Sequence, residues 1–347
     1  MSAKIVLLPG DGIGPEVTAA VEAVLAATAT RHDLQIETEA HDFGGIAIDK
    51  NGTPLPDATL EACMAADAIF LGAVGGPSWE GGDVRPEQGL LGLRKALGVF
   101  ANLRPISLFE GMEHLSPLRP ERAAGTDMLI VRELTGGLYF GDKTEGTETA
   151  SDQCAYSREE VERVARIAFD AARQRRGRVT SVDKANVLAS SRLWRAVVVD
   201  VAKDYPDIAL DHVLVDAMAM KLIERPAQFD VVLTENLFGD ILSDEASVIS
   251  GSIGLAPSAS IGSGHGGLYE PIHGSAPDIA GQGKANPVGA ILSLAMLLRH
   301  ALAEEDAART VEEAVRGALG AGVGTADLGG TATTQTVTDA VCERIAV

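Results

Sequence analysis

The sequence predicts an α/β fold built on a largely parallel sheet. Three observations carry that expectation: short β-rich runs alternate with longer stretches of helical period, the first run enters a helix through a glycine-rich corner, and polar residues stand directly behind four of the runs. In chain order, Ile5-Val6-Leu7-Leu8 is the first strand and leads into Gly10-Asp11-Gly12-Ile13-Gly14-Pro15-Glu16. Val17, Val21, Val24, Leu25 and Thr28 then recur at helical spacing, and a proline just inside that helix with glycines before it reads as a strand-loop-helix corner. Ala68 to Leu71 and Met128 to Val131 are the next strands. Ser157-Arg158-Glu159-Glu160 is a capping box opening a helix, and Arg173, Arg175, Arg176 and Arg178 are expected to close it, where positive charge suits the helix dipole. Val179 to Val182, His212 to Val215 and Val231 to Thr234 complete the series. The glycine-rich stretches 250–267 and 320–330 read as surface loops, and no Pro-rich or Ser-rich linker marks a domain border.

At roughly 150 residues per domain, 347 residues predict two domains. The balance of 29 Lys+Arg against 49 Asp+Glu gives a net charge of −20, which argues against nucleic acid and anionic membrane surfaces as partners. Cys63, Cys154 and Cys342 are too scattered for a disulfide framework, so a reducing cytoplasm is expected. The longest uncharged apolar stretch, Pro287 to Leu298, is far short of a membrane span.

The polar residues behind the strands are Arg132, Lys184, Asp216 and the pair Glu235-Asn236. In open α/β sheets ligands bind outside the carboxyl ends of strands, so these positions point toward a site. In Asn236-Leu237-Phe238-Gly239-Asp240-Ile241-Leu242-Ser243-Asp244, two carboxylates fall four residues apart on one helical face. Such a pair is either a solvated acidic face or, with a third oxygen donor such as Asp216, a site for Mg²⁺ or Mn²⁺. Arginines at 85, 94, 104, 119, 122 and 132 either offset surface acid or clamp a dicarboxylate or phosphate with their forked donors. The corner Gly10-Asp11-Gly12-Ile13-Gly14 fails the Rossmann fingerprint, because its third glycine comes one residue early and Pro15 follows. A nucleotide is better sought in Glu270 to Gly281 with Ala285-Asn286, whose small residues allow a close backbone approach.

These segments, in this order, resemble the 3-isopropylmalate dehydrogenases of leucine biosynthesis, within the β-decarboxylating dehydrogenase family that includes isocitrate dehydrogenase. The matching stretches are LLPGDGIGPEV (7–17), LGAVGGPSW (71–79), RPEQGLLGLRK (85–95), FANLRP (100–105), RELTGGLYFG (132–141), VDKANVL (182–188), VDAMAM (215–220), FGDILSD (238–244) and YEPIHGSAPDIAGQGKANP (269–287), spread along essentially the whole chain.

The resemblance implies a two-domain α/β subunit that is not of the Rossmann type, with a central mixed sheet. Residues 1–99 and 252–347 would form a discontinuous cofactor-binding domain, and 100–251 a dimerisation and catalytic domain. It implies that Arg94, Arg104 and Arg132 clamp the malate carboxylates, that Asp216, Asp240 and Asp244 ligate Mg²⁺ or Mn²⁺, and that Lys184 and Tyr139 are the general base and acid. Lys184 and Asp216 would come from the partner of a homodimer with shared sites. Leu90 and Leu91, beyond Glu87 on one helical face, resemble the positions that pack on the isopropyl group, where isocitrate users carry small polar residues. NAD is implied by Asp278-Ile279, where NADP users carry Lys-Tyr, with Glu87, Asn186, His273, Gly274, Ser275, Ala276, Pro277, Ala285 and Asn286 as further contacts. Rival readings are a related enzyme acting on tartrate, malate or homoisocitrate, a non-catalytic regulatory paralogue, and an Mg²⁺-dependent phosphoryl-transfer enzyme, which would want a P-loop that the sequence lacks.

Overall fold

A computed structural model of the chain describes residues 2–109, 111–264 and 266–347. Its strands are β1 (Ala3–Gly10), β2 (Ile36–Ala40), β3 (Ala68–Ala73), β4 (Val99–Ser107), β5 (Asp127–Glu133), β6 (Lys143–Thr144), β7 (Ser151–Asp152), β8 (Arg178–Asp183), β9 (Ala209–Leu214), β10 (Val231–Thr234), β11 (Pro257–Gly262) and β12 (Leu268–Pro271). Helices alternate with them, which makes the chain a mixed α/β protein. It divides into two compact units, Met1–Val99 with Ser252–Val347, and Phe100–Gly251.

In the first unit the strand order is β2-β1-β3-β12-β11. All neighbours are parallel except β11 and β12. The helix Gly14–His32 packs on β1 and β3, and every residue of β3 is buried, as expected of a parallel strand with neighbours on both sides. The glycine corner is a knot rather than a cradle. Gly10 and Gly12 take φ of +69° and +57°, and between them the buried Asp11 carboxylate accepts from Gly45 N and Gly75 N at 2.8 Å and from Ile46 N at 2.9 Å. Burial raises the Asp11 carboxyl above its usual range, against the pull of these three donors.

In the second unit the order is β4-β5-β10-β8-β9, with only β4 and β5 antiparallel. Thr234 pairs with Arg132 on one side and Val182 on the other, and Asp183 pairs with Leu214, so four strands end along one edge. Beneath that edge Ile106, Met128, Ile130, Val182, Met218, Leu222, Phe229, Val232 and Leu242 form a common core. A small hairpin of β6 and β7 occupies part of the polar stretch 144–153.

Three sequence expectations need correction. The stretch 250–267 is not a surface loop: it contains β11, whose first four residues are buried because β12 pairs along it, while His265 lies outside the described residues. The capping box does open a helix, Arg158–Arg173, but Arg175, Arg176 and Arg178 lie beyond its end. They are held by aspartates, Arg175 by Asp230 at 2.9 Å and Asp127 at 2.8 Å, Arg176 by Asp127 at 3.4 Å and Arg178 by Asp211 at 2.6 Å. The run at His212 ends its strand at Leu214, and Val215 begins a helix.

Ile130 is fully buried in β5 at the centre of the second unit's core. Ile130→Ala should lower unfolding stability by about 2–5 kcal/mol through lost burial and a residual cavity, read from urea midpoints. A loss under about 1 kcal/mol would show that this core tolerates repacking.

Candidate active site

The common edge of the second unit collects the polar residues that follow its strands. Arg132 lies at the end of β5 and Lys184 directly after β8. Asp216 is the second residue of the helix Val215–Glu224 that follows β9. Behind β10, Glu235 caps the helix Asn236–Ile249, its Oε1 accepting from Phe238 N at 3.0 Å. That helix carries Asp240 and Asp244 one turn apart.

Two arginines are buried beside this helix, Arg104 at 8% exposure and Arg132 at 4%. Arg104 donates from Nε to Asn102 Oδ1 at 2.7 Å and from Nη1 to Ser243 Oγ at 2.6 Å and Asp244 Oδ1 at 3.1 Å. Arg132 donates from Nη1 to Asp240 Oδ1, and from Nε and Nη2 to the single oxygen of Asn236 at 3.1 and 2.8 Å. The Tyr139 hydroxyl donates to the other Asp240 oxygen at 2.8 Å. Gly239 makes this packing possible, since a Cβ there would stand 2.7 Å from Arg132 Cγ. The guanidinium groups are thus enclosed while Asp240 is half-buried and Asp244 exposed.

Tyr139 closes a short turn, Gly137–Tyr139, that is fixed from below. Fully buried Glu133 accepts from Thr135 N, Thr135 Oγ1 and Gly136 N at 2.8, 2.6 and 2.8 Å. Gly136 and Gly137 lie on the Tyr156 ring, where a Cβ would fall 2.6 and 2.4 Å from its atoms. The Tyr156 hydroxyl accepts from Asn236 N at 3.0 Å and donates to Glu235 Oε2 at 3.1 Å, joining the turn to the helix of Asp240. Burial raises Glu133, Glu235 and Tyr156 alike, with the hydrogen bonds to the two carboxyls opposing it. Of this layer, Glu235-Asn236 stood out in the sequence only by position behind a strand. Asn102, Ser243 and Glu133 lie inside matching stretches but show no role of their own in sequence, and Tyr156 lies outside those stretches.

Lys184 and Asp216 form a separate pair, Nζ to Oδ1 at 2.5 Å, which holds the Asp216 carboxyl below its usual range. Among the described residues no three His, Cys, Asp or Glu side chains stand together as a metal site, so one chain does not assemble Asp216 with Asp240 and Asp244.

Of the remaining candidates, Asn186, which is exposed after Lys184, and the arginines Arg119 and Arg122 lie in the second unit and the rest in the first. Arg94 pairs with Glu270 at 2.7 Å; Arg85, Arg119 and Arg122 are exposed, as surface arginines would be. On the helix Pro86–Leu97, Glu87 is exposed and Leu90 and Leu91 are half-buried. His273 turns Nδ1 to Gly274 O at 3.0 Å and buries Nε2 with no partner among the described residues, and burial lowers its pKa. Gly274 opens on empty space. Ser275 is buried and its carbonyl accepts from Ile13 N at 2.8 Å, so the glycine corner supports this segment. Ala276 takes φ of +37°, while Pro277 and Asp278 are exposed and Ile279 half-buried. Glu16 holds the loop beyond through Gly281 N and Gly283 N, and Asn286, beside buried Ala285, donates to Asp327 at 2.9 Å.

Comparison with known proteins matches residues 4–341 to the isocitrate/isopropylmalate dehydrogenase family. The chain is 55% identical to the 3-isopropylmalate dehydrogenase of Staphylococcus saprophyticus over 99% of its own length and 100% of that protein. It is 55% identical to that of Anaeromyxobacter dehalogenans over the full length of both. Among solved structures, isocitrate dehydrogenase from Methylococcus capsulatus superposes with a TM-score of 0.90 at 40% identity, covering 99% of this chain and 100% of that one.

Burial, then the hydrogen bond to Asp240, pushes the Tyr139 phenol up to about 12. An unfolded tyrosine titrates at about 10, so the fold favours the neutral phenol; that preference is complete below pH about 10 and disappears as pH rises through about 12. The difference in phenolate absorbance between wild type and Tyr139→Phe should stay flat to pH about 11. A phenolate appearing near pH 9 would contradict the environment described.

Proposed function

The chain belongs to the isocitrate/isopropylmalate dehydrogenase family, and on that footing we propose that it catalyses the NAD-dependent oxidative decarboxylation of (2R,3S)-3-isopropylmalate to 4-methyl-2-oxopentanoate and CO₂, a step of leucine biosynthesis. The observation that carries the reading is 55% identity to a 3-isopropylmalate dehydrogenase along the whole of that protein, against 40% to an isocitrate dehydrogenase of like fold. Leu90 and Leu91 favour the same substrate. They offer an apolar face to an isopropyl group and would leave a third carboxylate desolvated and unpaired.

The residues fit both cofactors. Asp240 and Asp244 supply hard oxygen donors one helical turn apart, suited to Mg²⁺ or Mn²⁺, and Asp216 of a second subunit would add a third. The unpartnered His273 Nε2 and the open space over Gly274 suit a nucleotide along 273–279, with Ala285, Asn286, Glu87 and Asn186 as further contacts. Asp278 repels a 2′-phosphate and accepts ribose hydroxyls, which selects NAD. When bound, NAD supplies a hydride acceptor and the cation a Lewis acid for the substrate's C2 oxygen.

The chain's own groups do the rest. Arg94, Arg104 and Arg132 grip the two carboxylates by charge-assisted hydrogen bonds. Lys184 takes the proton of the C2 hydroxyl, and after CO₂ departs Tyr139 gives its proton to C3. A phenol raised to about 12 still holds that proton at neutral pH.

The working unit is a homodimer in the cytoplasm, with Lys184 and Asp216 completing the partner's site. Exposed apolar side chains support this. Met220 and Ile223 on the helix Val215–Glu224, at 66% and 42% exposure, accompany Ile241 and Val248 on the adjoining helix Asn236–Ile249, at 57% and 51%. Such a paired apolar surface suits a twofold interface. Among the described residues no helix is long and apolar enough to cross a membrane.

Assayed by NADH formation with Mn²⁺, 3-isopropylmalate should exceed isocitrate by about a hundredfold or more in kcat/KM, and excess EDTA should stop turnover. Comparable use of isocitrate would overturn the substrate assignment. Lys184→Met and Asp240→Asn homodimers should each be nearly inactive. Co-refolded, they should recover roughly a quarter of wild-type activity per subunit, because half the dimers are mixed and each carries one whole site. Verified heterodimers without recovery would put both residues in one subunit's site.

A further inference from the structure

Glu133, the last residue of β5, is fully buried and has no place among the groups that would touch substrate, cation or nucleotide. Both of its oxygens are turned to the segment that follows it. Oε1 accepts from Thr135 N at 2.8 Å and Thr135 Oγ1 at 2.6 Å, and Oε2 accepts from Gly136 N at 2.8 Å. The Thr135 hydroxyl accepts in turn from Arg163 Nη2, an arrangement that leaves its single proton for Glu133. The same guanidinium stands 3.8 Å from the carboxylate and 4.7 Å over the Phe100 ring.

Thr135 and Gly136 lead directly into the turn Gly137–Tyr139. Gly137, at φ of +75°, donates to Ala155 O at 3.0 Å, and Gly136 O accepts from Asn236 Nδ2 at 3.2 Å. Tyr139 itself is 36% exposed and reaches Asp240 only at its hydroxyl. A phenol so open to solvent takes its aim from the backbone that carries it. Burying a carboxylate is costly, and an apolar side chain would fill the same space without that cost. What the carboxylate adds is two acceptors that gather successive N–H groups and a hydroxyl, which sets the path of the chain into the turn. An amide of the same shape has one acceptor oxygen and would press an NH₂ group against the N–H of Thr135 or of Gly136.

We propose that Glu133 is a positioning residue for the reaction: with Thr135 and Arg163 it sets the turn so that the Tyr139 hydroxyl meets the carbon it protonates. The proposal rests on the reading of Tyr139 as the general acid.

Glu133→Gln should lower kcat for 3-isopropylmalate about tenfold or more while the KM values for that substrate and for NAD stay within about threefold. In a Tyr139→Phe background, where the acid is already gone, the same change should cost less than about twofold, because residues that act through one group are not additive. A role in stability alone costs the same factor in both backgrounds, and that result overturns the proposal. Thr135 carries an independent test should the glutamate variant fail to fold. Thr135→Val keeps nearly the same shape and removes the hydroxyl, so kcat should fall about threefold or more; Thr135→Ser keeps the hydroxyl and should stay within about twofold of wild type. The reverse order would assign the position to packing and overturn the proposal. Tyr139→Phe assayed alone separates the two layers. Full activity in it removes the acid and the proposal together, whereas an impaired Tyr139→Phe beside an unimpaired Glu133→Gln removes only the role of Glu133.

Discussion

Burying two guanidinium groups side by side is the constraint around which the second unit is arranged. Each such ion loses several kcal/mol of hydration, recovered only if every donor finds a well-placed acceptor. Arg104 and Arg132 therefore dictate their surroundings: a serine and two asparagines toward the interior, two aspartates toward the opening, and a glycine where an arginine stem crosses a helix. The result is asymmetric. Positive charge is fixed in a buried wall, and its counter-charges, Asp240 and Asp244, sit on the open side.

Parallel strands explain why these groups meet. Residues behind β5, β8, β9 and β10 are remote in the chain, yet parallel pairing brings their carboxyl ends to one edge, and the following helices begin there. The first unit applies the same geometry to another purpose. Its glycine corner, which imitates a phosphate loop in sequence, spends its close approaches on protein backbone: a Cβ on Gly12 would stand 2.0 Å from the Ser275 carbonyl. The segment around Ser275 thus rests on the glycine corner.

The α/β class was readable because β1, β3, β5, β8 and β10 are short apolar runs, and parallel strands covered on both faces concentrate hydrophobic residues. Strands with other compositions were not readable. β2 is an edge of alternating charge, IETEA, and β11 reads PSASIG because small residues satisfy its packing. The division into units left no compositional mark, since one crossing falls within β4. At the candidate site, the residues that sequence patterning singles out have unusual types for their places, charged groups behind apolar runs. Residues that orient them do not. Asn102 sits inside a strand and Tyr156 just before a helix, and only three-dimensional contact reveals what they hold.

Chain order within the first unit bears on how the protein is made. Ile69 of β3 pairs with Leu268 of β12, so the apolar strand β3 has an open edge until most of the chain has been synthesised. The second unit, contiguous from Phe100 to Gly251, can close while its neighbour is still waiting for its own other half. β1 covers one edge of β3 early, but its other edge waits for β12, and until then that edge is open to edge-to-edge aggregation and to chaperone capture.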